Sequence, residues 1–380
     1  MMAQKADAIF DPLYIPPKLY HREKELNELL KIITDNEASN LLIYGPSGIG
    51  KTLLARYALF KFPKNIDFEI TPVFVNFCYK SFREIMYQIN ASLCSNKLLD
   101  SIPIDAPLTE LWNVFRRLRR DIEKKVVIIL DDVDTNNHSI HKKFLQESKE
   151  LDITTIATAQ TGYARKLRKE YALGSQLDYT LFLDLYSENE LMDITLQRVT
   201  TAFPSFIRPS IIRFLTDIVL EFDIGRPSTV IEILKRIYPL SVAGLDILPV
   251  HIQEASSNIF TIQDELSIID ALTQTSLMTH LLFQKIARVF QKYLYEPYIS
   301  LDEIKEKYNL LYEELKIDAN QDDLLESIDD LLRTGLIFQS HFDPELFYII
   351  IPPKKLIEIL ELTLEEKGLT RIDVNKIHYL

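Results

Sequence analysis

Glycine is scarce in this sequence, with nine in 380 residues, and no tract is of low complexity. That argues against a fibre or a disordered chain. Cysteine is scarcer still. Cys78 and Cys94 lack metal-ligand spacing and are too few for a disulfide framework. A reducing, intracellular compartment fits that usage best. No stretch approaches eighteen apolar residues, so no membrane span is expected. Met1–Phe10 has neither a basic flank nor an apolar run and does not read as a signal peptide. Basic charge is also short. The formal net charge of −12 counts against nucleic-acid binding by bulk charge alone. What is present is apolar material, 47% of the chain, enough for sizeable cores in two or three domains.

The pattern divides the chain into three parts. A Pro-rich segment, Asp11–Leu19, reads as an extended strap. It leads into a helix over Arg22–Thr34, where Leu26, Leu29, Leu30 and Ile33 recur at helical spacing. Strands are expected at Asn40–Tyr44, Val73–Phe77, Val126–Leu130, Ile153–Ala157 and Tyr179–Leu183. Helices intervene at Lys51–Phe60, Ser81–Cys94 and Leu108–Glu123. Val126–Leu130 is uninterruptedly apolar, as a strand buried on both faces of a parallel sheet must be. Alternating strands and helices imply an α/β sheet with right-handed crossovers. After Tyr186 the strand signals stop, and Glu188–Thr201, Pro209–Glu221, Ser228–Tyr238 and His251–Asn258 read as helices. From about Ser267, helices at Leu277–Tyr295, Leu301–Leu315 and Asp322–Leu332 precede Gly335. Two apolar stretches follow, Leu336–Phe338 and Leu346–Ile351, an order that suggests a winged helix. The expected domains are residues 1–185, a helical lid over 186–262 and a winged helix over 263–380.

Gly45-Pro46-Ser47-Gly48-Ile49-Gly50-Lys51-Thr52 matches G-x-x-x-x-G-K-[ST] in full and sits between a strand and a helix. Such a loop turns backbone N–H groups inward around phosphates, with the helix N-terminus adding positive potential. The run from Gly45 to Thr52, with Leu53 after it, is therefore the expected site for ATP or ADP. Lys51 is expected on the β- and γ-phosphates and Thr52 on Mg²⁺. Asp131 closes the buried strand and is the second candidate for Mg²⁺. Asp132 is the candidate base or water-orienting residue; the alternative is that Asp131, Asp132 and Asp134 only end a strand.

With these residues in view, the chain resembles the archaeal replication initiators of the Orc1/Cdc6 group within the AAA+ ATPases. The resemblance rests on Tyr14-Ile15-Pro16 through Leu19-Tyr20-His21-Arg22-Glu23-Lys24-Glu25-Leu26, on Val73-Phe74-Val75-Asn76, and on Tyr186-Ser187-Glu188-Asn189-Glu190-Leu191 with Ile194 and Gln197-Arg198-Val199. It implies that Tyr186 and Arg198 lie at the nucleotide. It also implies duplex DNA at an origin and a replicative helicase or other initiator subunits as partners, in a cytoplasmic, nucleoid-associated setting. Three accessories depart from the family's pattern. Asp131-Asp132 stands for Asp-Glu, Gln160 for a sensor Asn, and Gly225-Arg226-Pro227-Ser228 for Gly-Asp-x-Arg, with Arg226 as the substitute arginine. The expectation is tight nucleotide binding and slow hydrolysis. Arg168 is the candidate arginine finger; its alternative is a solvated basic helix.

The charge distribution keeps a second reading open. From Glu265 to Leu380 there are 21 acidic and 12 basic side chains. The third helix of the winged helix carries Asp322, Asp323, Glu326, Asp329 and Asp330 against Arg333, and Gln339–Leu346, the expected wing, has no Lys or Arg. Phosphates would repel such a helix. Arg116, Arg117, Arg119, Arg120, Lys124 and Lys125, with Lys142 and Lys143, are the alternative DNA surface or else a solvated face. An origin-binding initiator and a signalling ATPase whose acidic winged helix binds protein are both compatible with the sequence.

Overall fold

A computed structural model describes residues 8–35, 37–62, 69–94, 106–135, 138–169, 174–260, 265–317 and 320–366. Contacts divide the chain into two units, residues 11–186 and residues 187–366 together with Ala8–Phe10.

The first unit is a parallel sheet between helices. Its elements are α1 (Glu23–Thr34), β1 (Asn40–Tyr44), α2 (Lys51–Phe60), β2 (Ile70–Asn76), α3 (Phe82–Leu93), α4 (Leu108–Arg120), β3 (Lys125–Asp131), α5 (His138–Glu147), β4 (Ile153–Ala159), α6 (Thr161–Lys169) and β5 (Tyr179–Phe182). The strand order is β2-β3-β4-β1-β5, all parallel. Alternation explains the layers. Val126, Ile128 and Leu130 of β3 pack in a core with Ile85, Met86, Trp112, Phe115 and Phe144. Val127 and Ile129 point the other way, into a core with Leu29, Ile33, Leu54 and Ala58. A strand with both faces buried has no polar face to show, hence its continuous apolar run. Register places the C-terminal ends of the strands together: Asn76 lies opposite Asp131, and Tyr44 opposite both Ala159 and Phe182.

The second unit begins with α7 (Glu188–Ala202), α8 (Pro209–Asp223), α9 (Pro227–Val242) and α10 (Pro249–Ser257). Ser187 opens α7 through a capping box with Glu190. Then come α11 (Glu265–Thr273), α12 (Leu277–Lys292), β6 (Ile299–Ser300), α13 (Leu301–Leu315), α14 (Gln321–Arg333), β7 (Phe338–Gln339), β8 (Leu346–Tyr348) and α15 (Pro353–Glu366). The three short strands pair antiparallel in the order β6-β8-β7. This is the winged helix. A buried carboxylate ties it to α8: Asp217 accepts hydrogen bonds from Tyr298 Oη at 2.7 Å, Ser340 Oγ at 2.7 Å and the His341 amide at 2.8 Å. Burial nonetheless raises its pKa, against the pull of those donors.

Several expectations are corrected. The strap does not start extended: Asp11 closes a turn, its carboxylate accepting from the Leu13 amide at 2.7 Å and its carbonyl from the Tyr14 amide at 2.9 Å. Ala8–Phe10, assigned with the base by sequence, packs in the second unit, the Phe10 ring against Phe203 and Tyr238. By contacts, residues 187–366 group together. The expected joint between lid and winged helix falls at 261–264, outside the described residues, as do 1–7 and 367–380. The basic surface of α4 is largely spoken for. Arg116 pairs with Glu147, Lys124 with Glu69, and Arg119 donates to the Asp152 carbonyl at 2.9 Å and its carboxylate at 2.8 Å. Lys125 donates to the Ile33 carbonyl at 3.0 Å, leaving Arg117 and Arg120 exposed on this helix.

Candidate nucleotide-binding site

The loop from Gly45 to Gly50 links β1 to α2 at the C-terminal edge of the sheet. Gly45 must lack a side chain, because a Cβ there would stand 2.3 Å from the Leu183 carbonyl oxygen and 2.8 Å from Ile49 Cδ1. Gly50 ends the loop at φ 95°, a left-handed conformation that frees the first amides of α2 to face outward from the helix end. Leu53, one residue past Thr52, packs against the core beneath the loop.

Lys51 is 7% exposed and donates to the Pro46 carbonyl at 2.6 Å and the Gly45 carbonyl at 3.2 Å. Burial lowers its pKa, opposed by the charges of Asp132, Asp134 and Asp131. A desolvated ammonium held by loop carbonyls is poised to exchange them for a phosphate.

Asp131 is the centre of the second cluster. Its Oδ1 accepts from Thr52 Oγ1 at 2.6 Å and from Thr158 Oγ1 at 2.7 Å. Its Oδ2 accepts from Asn76 Nδ2 at 2.8 Å, and the same amide reaches Asp132 Oδ2 at 3.3 Å. Thr158 also accepts the Asp132 amide at 3.0 Å. Asp132 adopts φ 54°, an uncommon conformation for a residue with a Cβ, which turns it off the strand axis. Burial raises the Asp132 pKa, Asp131 adds to the rise, and the Asn76 hydrogen bond opposes it. Asp132 shares a hydrogen-bond network with Asp131.

Hydroxyl and carboxylate oxygens are the donors Mg²⁺ prefers, and Thr52 with Asp131 fits that chemistry. Among the described residues no cluster of three His, Cys, Asp or Glu could hold a metal unaided. Mg²⁺ suits this, since it takes one or two protein ligands and completes its shell with phosphate and water.

Tyr186 lies against the loop, its Oη 4.0 Å from where a Gly50 Cβ would be. Gln160 is exposed, and its amide donates to Asp134 Oδ2 at 3.2 Å. The hydroxyl on the Asp131 cluster from β4 is Thr158, two residues earlier. Arg168 donates to Tyr44 Oη at 2.9 Å and lies over the Tyr44 ring at 5.2 Å. Arg198 and Arg226 belong to the second unit: Arg198 is buried on α7, and Arg226 stands at the N-cap of α9, paired with Asp223 at 3.0 Å. Asn76 and Thr158 are site residues that the sequence pattern does not single out. Asn76 ends β2 after the apolar run Val73–Val75, and Thr158 lies one residue before the end of β4, whose Thr154 and Thr155 mask it as a signal.

Residues 19–148 match the family described as an ATPase domain predominantly from Archaea. The ORC1-type DNA replication protein 1 of Sulfurisphaera tokodaii is 24% identical over 239 residues, 59% of this chain and 58% of the relative. The ORC1-type protein of Thermococcus kodakarensis is 26% identical over 209 residues, 50% of this chain and 49% of the relative. The chain thus spans about half the length of the curated relatives it matches. The crystal structure of Cdc6p from Pyrobaculum aerophilum superposes with a TM-score of 0.80 at 20% identity, covering 95% of this chain and 98% of that one. The chain has the fold of Cdc6p and is similar in sequence to ORC1-type DNA replication proteins. The Orc1/Cdc6 fold is shared also with the Aeropyrum pernix ORC1 protein, solved in complex with DNA, at a TM-score of 0.58 and 18% identity over 95% of this chain and 96% of that one. The expected Orc1/Cdc6 fold, an α/β AAA+ sheet, helical lid and winged helix, is the one observed.

Proposed function

We propose that this protein binds ATP or ADP with Mg²⁺, hydrolyses ATP slowly, and uses the nucleotide state to govern its engagement in DNA replication. The observation that carries the reading is the network of Thr52, Asp131, Asp132, Asn76 and Thr158 beside a buried Lys51. Lys51 and the loop amides would hold the phosphates; Thr52 and Asp131 would hold the ion. Bound there, Mg²⁺ would supply charge neutralisation for phosphoryl transfer. Asp132 would orient water, at a carboxylate one methylene shorter than glutamate. With Gln160 exposed and Arg226 engaged by Asp223, slow turnover is the expected regime.

Origin DNA and a replicative helicase or other initiator subunits are the partners this reading favours, since the relatives are named as DNA replication proteins and a fold neighbour was solved with DNA. A cytoplasmic, nucleoid-associated setting follows from it. One observation favours a second reading. The outward face of α14 presents Asp322, Leu325, Glu326 and Asp329, all exposed. An acidic face with an apolar centre suits a basic protein partner better than phosphate.

Steady-state ATP turnover and duplex DNA anisotropy at two salt concentrations test the proposal. Turnover below about 1 s⁻¹ supports slow hydrolysis. DNA affinity that falls steeply with salt supports the initiator reading. Absence of DNA binding with and without ATP favours the protein-partner reading.

A further inference from the structure

Arg22 is 6% exposed, and a guanidinium so buried is tolerated only with its donors engaged. Nη1 meets Glu25 Oε1 at 3.1 Å, Nη2 donates to the Asp184 carbonyl at 2.5 Å, and Nε donates to Tyr186 Oη at 3.0 Å. The guanidinium carbon also lies 4.0 Å from the centroid of the Tyr186 ring. His21 just before it adopts φ 57°, the left-handed turn that delivers Arg22 inward at the start of α1. One arginine therefore fixes Tyr186 by both its face and its tip. A phenol oxygen that accepts from arginine directs its own proton elsewhere. That oxygen stands at Gly50, the end of the phosphate loop.

We propose that Arg22 is a positioning residue: by clamping Tyr186 it presents the phenol to a bound adenine nucleotide, and so it sets nucleotide affinity rather than turnover. None of Arg22's contacts is with Thr52, Asp131 or Asp132, where hydrolysis would be organised. This inference rests on the nucleotide reading above and adds a residue to it.

The test uses the full chain and its Arg22→Ala, Arg22→Lys, Tyr186→Ala and Lys51→Ala variants, plus the Arg22→Ala/Tyr186→Ala double variant. MgADP affinity is measured by calorimetry, kcat and KM for ATP by phosphate release, and folding by thermal midpoint. Arg22→Ala should weaken MgADP about tenfold, the scale of one charge-assisted hydrogen bond with a cation–π contact. Its kcat at saturating ATP should stay within about twofold of wild type. Arg22→Lys should recover only part of the affinity, since an ammonium lacks the planar fork that stacks and bonds at once. It also carries the test should the alanine variant fold poorly. In the Tyr186→Ala background, removing Arg22 should cost less than about twofold. Wild-type MgADP affinity in folded Arg22→Ala would overturn the proposal, as would an undiminished tenfold loss in the Tyr186→Ala background. If wild type binds and Lys51→Ala does not, such a result sinks the inference alone. If wild type fails to bind ADP, the nucleotide reading falls with it.

Discussion

Replacing Thr158 by valine keeps the shape of a fully buried side chain and removes one hydroxyl. That hydroxyl makes two bonds. It donates to Asp131 Oδ1 at 2.7 Å and accepts the Asp132 amide at 3.0 Å. The first is charge-assisted and contributes about 1.5–3 kcal/mol. The second, once lost, leaves an amide unsatisfied at a residue already in a left-handed conformation, at a cost of about 1–3 kcal/mol. Asp131 retains Thr52 and Asn76, so the carboxylate can relax and the two losses do not add in full. A net loss of about 2–3 kcal/mol in the stability of the sheet unit follows. If Asp131 holds Mg²⁺, the same misalignment should weaken MgADP about tenfold or more, while ADP in excess EDTA binds as in wild type. Calorimetry with and without Mg²⁺ gives the comparison, and Thr158→Ser, which keeps the hydroxyl, should restore both readouts. Equal losses with and without Mg²⁺, or none, would refute the role assigned to Thr158.

Gly45→Ala should lower the thermal midpoint and weaken nucleotide together, because the new methyl meets a backbone carbonyl that no side-chain motion can move; overpacking of this kind costs about 1–3 kcal/mol. Burial holds the folded pKa of Asp217 above its ordinary 3.8. Its contribution to stability is thus fully present below about pH 3.8 and lost as pH rises through the raised value. The midpoint of wild type relative to Asp217→Asn should fall from acidic toward neutral pH; a difference independent of pH would contradict the burial argument. Reversing two charges on α14, Glu326→Lys with Asp329→Lys, should raise duplex DNA affinity at low salt and steepen its salt dependence, as read by anisotropy. No change would mean that this face does not approach DNA.

Much of this was legible locally. The phosphate loop is contiguous in sequence, and β3 announces itself by an apolar run ending in two aspartates. Helices α5 and α15 were not foreseen. His138–Glu147 has too short an apolar pattern to stand out beside its lysines. Pro353–Glu366 does carry helical spacing, with Leu356, Leu360 and Leu364 buried. The partners of Asp131 were out of reach for another reason. Asn76 and Thr158 lie 55 and 27 residues away, and only the parallel register of β2, β3 and β4 brings their side chains to one carboxylate. Arg22 and Tyr186 are 164 residues apart, and the motif that contains each gives no hint that they stack. The basic helix α4 allowed two readings for a related reason. Charge in a sequence does not say whether a carboxylate of another element, here Glu147 or Asp152, has already taken it.

The central claim is that the loop from Gly45 to Thr52 binds a nucleotide's phosphates through Lys51. Calorimetric titration of the purified chain with MgADP tests it most directly. Binding should be saturable and one-to-one and should disappear in Lys51→Ala while the thermal midpoint of the unliganded variant stays near wild type. No measurable heat with wild type, or equal affinity in Lys51→Ala, would contradict it.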